Sequence, residues 1–390
     1  MDSLTQAALG AALGGAVLGR RLGRKSLLAG AVVGSLPDLD VLIDYGDAVA
    51  NVTYHRGFSH SLFVLTGLSL VLAGLAQRLA QRRAQRRAER LASRPHLAQG
   101  RGLSSGLDRG LQPLGLLRWW LFFWLCLVTH PLLDSLTTYG TQLWWPLEVT
   151  APSATPLVFI IDPAYTLALL VALVIALWRG HRPATLQRAA SWGLVISTLY
   201  LLLALGARGW VDARADEALD RVGMAQSPRL IQPAPFSILL WRVTAVDGDR
   251  HAETLVGLLD GDTRPVVELF RRGTELEAAA LALDSGRRLA WFAGHFVRYE
   301  VERKGDAERL LATDLRLGFP GFHPFRFALA ERLDGGWRAL EPTLQLPMSA
   351  SQRPLGQLFE RMLSPQPALC VADFVDSRWH LGAGNDCDDR

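Results

Sequence analysis

The spacing of apolar residues divides this chain near residue 206. Before that point long apolar runs alternate with short basic turns, and after it short apolar stretches alternate with polar ones. Residues 4–19, LTQAALGAALGGAVLG, are small and apolar. They fall short of the about 20 residues that cross a ~30 Å hydrocarbon core, so they read as a tilted span or a half-inserted helix. Gly10 and Gly14 form a small-xxx-small pair suited to close helix packing. The runs 26–43, 58–76, 119–138, 157–178 and 189–206 read as further membrane helices, with Pro37 breaking or kinking the first of these. Trp119 and Trp120 mark one interface, and Trp144 and Trp145 the other. The expectation is an all-α polytopic membrane domain of five or six helices over 1–206.

A β-rich α+β soluble domain is expected over 207–390. Asp212, Arg214, Asp216, Glu217, Asp220 and Arg221 look like a solvated helix face. The run 238–246 reads as a strand closed by the turn Asp247-Gly248-Asp249. Residues 289–301 and 325–330 are further strand candidates, and Leu333-Asp334-Gly335-Gly336-Trp337-Arg338 reads as a hairpin turn. There is no internal repeat and no phosphate-cradling glycine loop.

Charge adds a direction. The net charge is only +4, but arginine crowds residues 78–118. The basic loops 20–25, 77–118 and 179–188 satisfy the positive-inside rule when all three are cytoplasmic. Threading the chain that way puts the loops holding Asp38–His60 and Tyr139–Asp162 outside, together with everything after 207. The arginine arm reads as a helix followed by a mobile Gly/Ser-rich part lying against anionic headgroups, and no nucleic acid is expected. Three cysteines are too few for a disulfide framework. Cys126 reads as a core residue. Cys370 and Cys387 pair if their domain is exported, or are unrelated thiols. No cleavable signal peptide is visible, since Asp2 precedes the first apolar run.

Three polar clusters lie in or beside the apolar runs: Pro37-Asp38-Leu39-Asp40, His55-Arg56-Gly57-Phe58-Ser59-His60, and Thr129-His130-Pro131-Leu132-Leu133-Asp134. An ionised Asp at a helix centre costs roughly 2.5–3.5 kcal/mol, so three such clusters require a common reason. His130 and Asp134 are four apart and share a helix face. His55 and His60 converge only if His55 precedes the helix, in a turn that Gly57 permits. All three clusters fall on the same outer side of the threaded chain. The reading is a metal centre with Asp38, Asp40, His55, His60, His130 and Asp134 as ligands. Mixed His and Asp donors suit zinc first, with manganese or iron as alternatives. Arg56 reads as a phosphate clamp, and Asp162 either as a proton acceptor at the site or as an N-cap. His96, His181, His251, His295, His323 and His380 show no partner pattern.

The pieces LTQAALGAALG, PDLD, HRGFSHSL, THPLLDSLTTYGTQ and IIDPAYTL resemble the membrane-bound metal-dependent hydrolases of the bacterial inner membrane, one branch of which is under SOS-repressor (LexA) control. That resemblance covers about residues 1–180, and PFSILLWRV, ATDLRLGFPGF and FRFALAER resemble an exported tail found in part of the family. The HxxxD and PDxD pieces are also similar to zinc-dependent phospholipase C. The resemblance implies a multi-pass inner-membrane hydrolase with an extracytoplasmic C-terminal domain. Its ligands would include Asp38 or Asp40, His60, His130 and Asp134. Gln6 stands where many relatives have His, and no second HxxxE or HxxxD pair is present, so one or two ions are implied. The expected activity is hydrolysis of a phosphoester in a membrane lipid or lipid-linked substrate. The alternatives are a non-catalytic transporter or envelope scaffold and an intramembrane metalloprotease, the latter lacking its usual HExxH motif. No sequence signal bears on oligomeric state.

Overall fold

The computed structural model describes all residues except 94–113, 148–150, 181, 306, 348–354, 367–368, 384–386 and 388–390. The Gly/Ser-rich part of the arginine arm and most of the acidic tail therefore lie outside the described residues. Helix α1 (Ser3–Leu22) is opened by Asp2, whose carboxylate accepts from Thr5 N, and is closed by Gly23 at φ 56°. It turns straight into α2 (Lys25–Gly34). The two helices touch backbone to backbone: a Cβ on Gly14 would stand 2.1 Å from Ser26 O, and one on Gly30 2.0 Å from Gly10 O. Small residues here serve helix contact.

A 3₁₀ turn (Pro37–Leu42) and short α3 (Ala48–Tyr54) follow. A second 3₁₀ turn (Phe58–His60) leads into α4 (Leu62–Ala92). Then come α5 (Leu116–Asp134), α6 (Pro163–Arg179) and α7 (Pro183–Asp220). Among the described residues three helices are long and apolar enough to cross a membrane: Leu62–Arg90, Leu116–Asp134 and Pro183–Asp220. This corrects the expectation of five or six. The run 26–43 is broken after ten helical residues, because Pro37 and its two aspartates favour a tight turn. The run from 157 becomes helical only at Pro163, behind the N-cap Asp162, leaving 17 residues. α1 is the interior element, packed against α2, α5, α6 and α7, with Ala12 and Leu18 fully buried.

α7 does not stop near 207. It runs 38 residues, from apolar to charged, and its Asp212 and Asp216 pair with Arg229 at 2.9 and 2.8 Å. The β region begins there. Strands β1 (Arg229–Pro233), β2 (Leu240–Asp247), β3 (Arg250–Gly257) and β4 (Val267–Arg271) form an antiparallel sheet. Small helices α8 (Glu277–Leu281) and α9 (Asp284–Ala293) separate it from an antiparallel meander. The meander comprises β5 (Val297–Lys304), β6 (Ala307–Asp314), β7 (Arg326–Leu333) and β8 (Gly336–Gln345). Helix α10 (Leu355–Leu363) and β9 (His380–Ala383) complete the chain, with β9 beside β4. The β2–β3 and β7–β8 hairpins stand where the turn residues predict them. Asp334 and Gly335 take φ 50° and 82°, the left-handed values of a two-residue hairpin turn. Residues 289–301 are not one strand. Leu289, Phe292 and Ala293 are buried at helical spacing inside α9, and extended structure starts only at Val297. Cys370 and Cys387 are disulfide-bonded, and Cys126 is buried and free.

One apolar core runs from α1 and α5 through α7 into Ile231, Trp241 and Val256 of the first sheet. The meander instead sits over α3: Thr343 N and Oγ1 both donate to Asp47 Oδ2 at 2.7 Å, and Arg288 Nε donates to Thr53 Oγ1 at 3.1 Å. The β region also holds two buried imidazoles, His251 and His323. Burial first, then the neighbouring arginines 242 and 298, pushes both well below the usual histidine value of 6.5. In the unfolded chain both bind protons at higher pH than in the fold. Their contribution to stability is therefore present above about 6.5 and lost as pH falls. Each costs up to ~1.4 kcal/mol per pH unit below that point. In thermal unfolding of the full chain, His323→Gln is expected to flatten the fall of the midpoint between about pH 6.5 and 5.

Candidate metal centre

Four elements converge at the ends of α2 and α5. α2 ends at Gly34, and the 3₁₀ turn after it carries Asp38 and Asp40. His55 follows α3, outside any helix, and His60 closes the 3₁₀ turn before α4. His130 and Asp134 occupy the last turns of α5, one helical turn apart. The loop that joins His55 to His60 is turned at Arg56 and Gly57 together. Arg56 adopts φ 60°, in the left-handed region uncommon for a side-chain-bearing residue, and Gly57 has φ −85° and ψ −114°, outside the regions open to residues with a side chain. Gly57 also serves by its size: a Cβ there would come within 2.8 Å of Tyr54 O.

Asp38, His60, His130 and Asp134 bring one donor atom each within 4.8 Å of all the others. His130 Nε2 is 3.2 Å from Asp38 Oδ1 and 3.5 Å from Asp134 Oδ2. His60 Nε2 is 3.6 Å from Asp38 Oδ1 and 3.3 Å from Asp134 Oδ2. Bonds of about 2.0–2.1 Å to a tetrahedral ion place ligand atoms about 3.3–3.4 Å apart. These four edges straddle that value.

The protonation pattern points the same way. His130 Nδ1 lies 2.6 Å from Gly34 O, and a carbonyl can only accept, so Nδ1 carries the proton. Ser59 Oγ donates to Asp40 Oδ2 at 2.7 Å and is therefore left to accept from His60 Nδ1, 2.8 Å away. With Nδ1 so committed, both rings turn Nε2 toward carboxylate oxygens, His130 Nε2 lying 3.2 Å from Asp38 Oδ1. A protonated Nε2 donates to them, and a neutral one offers its lone pair to a cation held between. His60 Nε2 and Asp134 Oδ2 are buried with no hydrogen-bond partner among the described residues, as ligand atoms would be. Asp134 Oδ1 is held from behind by Gln6 Nε2 at 3.0 Å and by the amino group of Met1. Gln6 thus acts as a support to the aspartate and is not itself among the four. Three of the four, His130, His60 and Asp134, thus have an outer partner that fixes their orientation. Ser59→Ala removes the one on His60 and is expected to weaken metal affinity about 10–100-fold, read by titration of the stripped protein.

The other two expected ligands stand one layer out. Asp40 is buried and accepts from Arg56 N at 2.9 Å; its Oδ1 is 3.1 Å from Nδ1 of the part-exposed His55. Arg56 is 4% exposed. Its Nε lies 3.4 Å from Asp134 Oδ2, its guanidinium is 4.9 Å above the Tyr139 ring, and Nε and Nη1 make no hydrogen bond. Asp162 is not in this group. It is fully buried as the N-cap of α6, accepting from Tyr165 N at 3.1 Å and from the Tyr200 hydroxyl at 3.0 Å. Sequence reasoning missed Tyr139, which lies edge-on to His55 at 5.7 Å and to Phe292 and Phe325 of the β region. It also missed Ser59 and Gly34, though Ser59 sits between the two histidines of the HRGFSH motif.

The matches to known proteins are to membrane proteins. The chain is 32% identical over 120 residues to the inner membrane protein YbcI of Escherichia coli (strain K12), a stretch covering 30% of this chain and 51% of that one. It thus spans about half the length of that relative. No solved structure matches it. The family model described as "YdjM inner membrane protein" matches residues 1–211, which takes in every helix of the centre and all six residues named as its ligands, and the chain belongs to that family.

Proposed function

We propose that the chain is a multi-pass inner-membrane hydrolase that cleaves an ester, first a phosphoester, of a membrane lipid or lipid-linked substrate at the outer leaflet. The observation that carries this reading is the set of four donor atoms within 4.8 Å of one another, two of which, His60 Nε2 and Asp134 Oδ2, are buried without a hydrogen bond among the described residues. A divalent ion held there, zinc first by its donor set, supplies Lewis acidity when bound. Asp38 is the only part-exposed member of the four, with 21% of its side chain exposed, so substrate approaches past it. Catalytic zinc sites usually take three protein ligands, so of the four donors the part-exposed Asp38 would be the one to give way to substrate or water.

The chain's own residues complete the chemistry. Arg56 has two guanidinium nitrogens without a hydrogen bond among the described residues; Nε faces Asp134 Oδ2 at 3.4 Å, and Nη1 is the donor left for a phosphoryl oxygen. The His55–Asp40 pair sits at the exposed edge, where His55 can take a proton and Asp40 stabilises the charge so formed. That assigns to Asp40 the role that Asp162, committed to its helix cap, does not fill. The outward orientation of the centre is supported by the basic arm between α4 and α5, which when cytoplasmic puts His60 and Asp134 at the outer ends of those helices, and by the Cys370–Cys387 disulfide, which persists in an oxidising compartment.

The test is hydrolysis of phospholipid and polyprenyl-phosphate substrates by purified protein, with and without a chelator, beside a metal count. Chelator is expected to abolish turnover. Arg56→Lys, which loses the planar fork, is expected to cut turnover about 10²-fold while leaving the metal count unchanged. A chelator-insensitive rate, or protein free of stoichiometric zinc, manganese and iron, removes the hydrolase reading in favour of a non-catalytic membrane protein.

A further inference from the structure

A cavity of about 400 Å³ lies where the outer ends of the membrane helices meet the β region. Its floor is Thr137–Tyr139, just beyond Asp134, and Phe159–Ile160, just before α6; its roof comes from the first sheet, the loop between β6 and β7, and α10. We infer that this cavity seats one hydrocarbon chain of a membrane lipid, whose ester end then faces the metal centre. The inference deepens the reading above by naming the part of the substrate that the β region recognises.

Three features support a hydrocarbon occupant. First, the walls are mostly apolar, and the two arginines and Gln232 among them are already paired. Arg242 makes hydrogen bonds to Glu253 at 2.8 and 2.6 Å and to the Gly318 and Leu315 carbonyls. Arg316 is bidentate to Asp314, and Gln232 donates to Arg316 O at 2.9 Å. A peptide or sugar would find almost no free partner there, and water in an apolar void is poorly held. Second, the apolar rim stays exposed. Ile160 is 38% exposed, and Phe236 stacks at 6.2 Å on Phe359, itself 49% exposed. Such a rim suits lipid better than water. Third, two short routes join the cavity to the centre. Thr137 Oγ1 donates to Asp134 O at 2.7 Å, and Tyr139 reaches from the cavity wall to His55 and Arg56.

The experiment uses full-length protein in nanodiscs containing a phospholipid with a photoreactive diazirine on its acyl chain. Labelled peptides are mapped after irradiation. Labelling of residues 232–236 and 316–325, which lie in the β region, supports the inference. Thr138→Trp and Leu317→Trp, which fill the cavity from opposite walls, are each expected to reduce that labelling at least tenfold while the outer faces of α4 and α7 label as before. Labelling confined to the membrane helices in the wild type overturns it, as does undiminished β-region labelling in both variants. His130→Ala separates the two readings: β-region labelling that survives loss of the metal supports the chain site whatever becomes of the hydrolase. Turnover with no β-region labelling overturns the chain site and leaves the hydrolase standing.

Discussion

Asp134→Ala is expected to purify without metal and without activity, and to be markedly less stable than the wild type. Asp134 contributes the unpaired Oδ2 that faces both imidazoles, and it is fully buried. Loss of an outer partner alone costs about 10–100-fold in affinity, so loss of a ligand should exceed about 100-fold. Its carboxylate also faces Arg56, buried 3.4 Å away. Removing one member of a buried ion pair costs about 3–5 kcal/mol, because the other charge is left uncompensated. Asp38→Ala separates the two effects. Asp38 is part-exposed and faces only the imidazoles, so its loss should empty the site with a much smaller change in unfolding midpoint. Wild-type metal content in both variants would sink the four-ligand assignment.

The centre was partly legible because its chemistry is expensive. Buried His130 and Asp134 within an apolar run required a partner, and the HxxxD spacing placed both on one face. The same reasoning joined PDLD and HRGFSH to them through topology alone. What it could not do was rank six candidates. Which donors reach the centre depends on backbone turns that spacing does not encode. His55 falls short because Arg56, at positive φ, and Gly57 turn the chain between the two histidines. Asp40 faces His55, Ser59 and Arg56 N in place of the central gap, because successive residues of a 3₁₀ turn point in different directions. The N-cap role of Asp162 is legible locally, because Pro163 stands at N1.

The fold shows a similar division. Hairpins announced by Asp-Gly pairs stand where their turn residues put them, since positive φ is a local demand. Apolar length overstates the number of membrane-crossing helices, since an apolar run need not be one continuous helix of spanning length. Residues 4–19 are apolar for another reason: α1 is surrounded by other helices, and its glycines meet protein, not lipid. Leu289–Val301 reads as a strand from sequence because a short apolar run fits both periods, and the helical spacing of Leu289, Phe292 and Ala293 decides it only once their burial is seen.

Gly30→Ala tests how the helix contact builds the centre. The added Cβ would stand 2.0 Å from Gly10 O, 2.8 Å from Gly10 C and 3.0 Å from Gly14 Cα. All three are backbone atoms of α1, so no side chain can swing aside, and α2 must move away by more than about 1 Å to restore contact distance. Overpacking of this kind costs about 1–3 kcal/mol. The displacement also carries a functional cost. Gly34 lies one turn further along α2, and its carbonyl fixes the His130 tautomer through Nδ1 at 2.6 Å. Asp38 follows four residues later. Metal affinity is therefore expected to fall about 10–100-fold along with the unfolding midpoint, although residue 30 touches no ligand. Gly74→Ala in α4 is the matched control. Its Cβ would meet nothing within 4 Å, and the change should leave metal binding intact while stabilising the helix by about 0.5–1 kcal/mol. If Gly30→Ala binds metal as tightly as Gly74→Ala, the α1–α2 contact supports the fold but does not position the ligands.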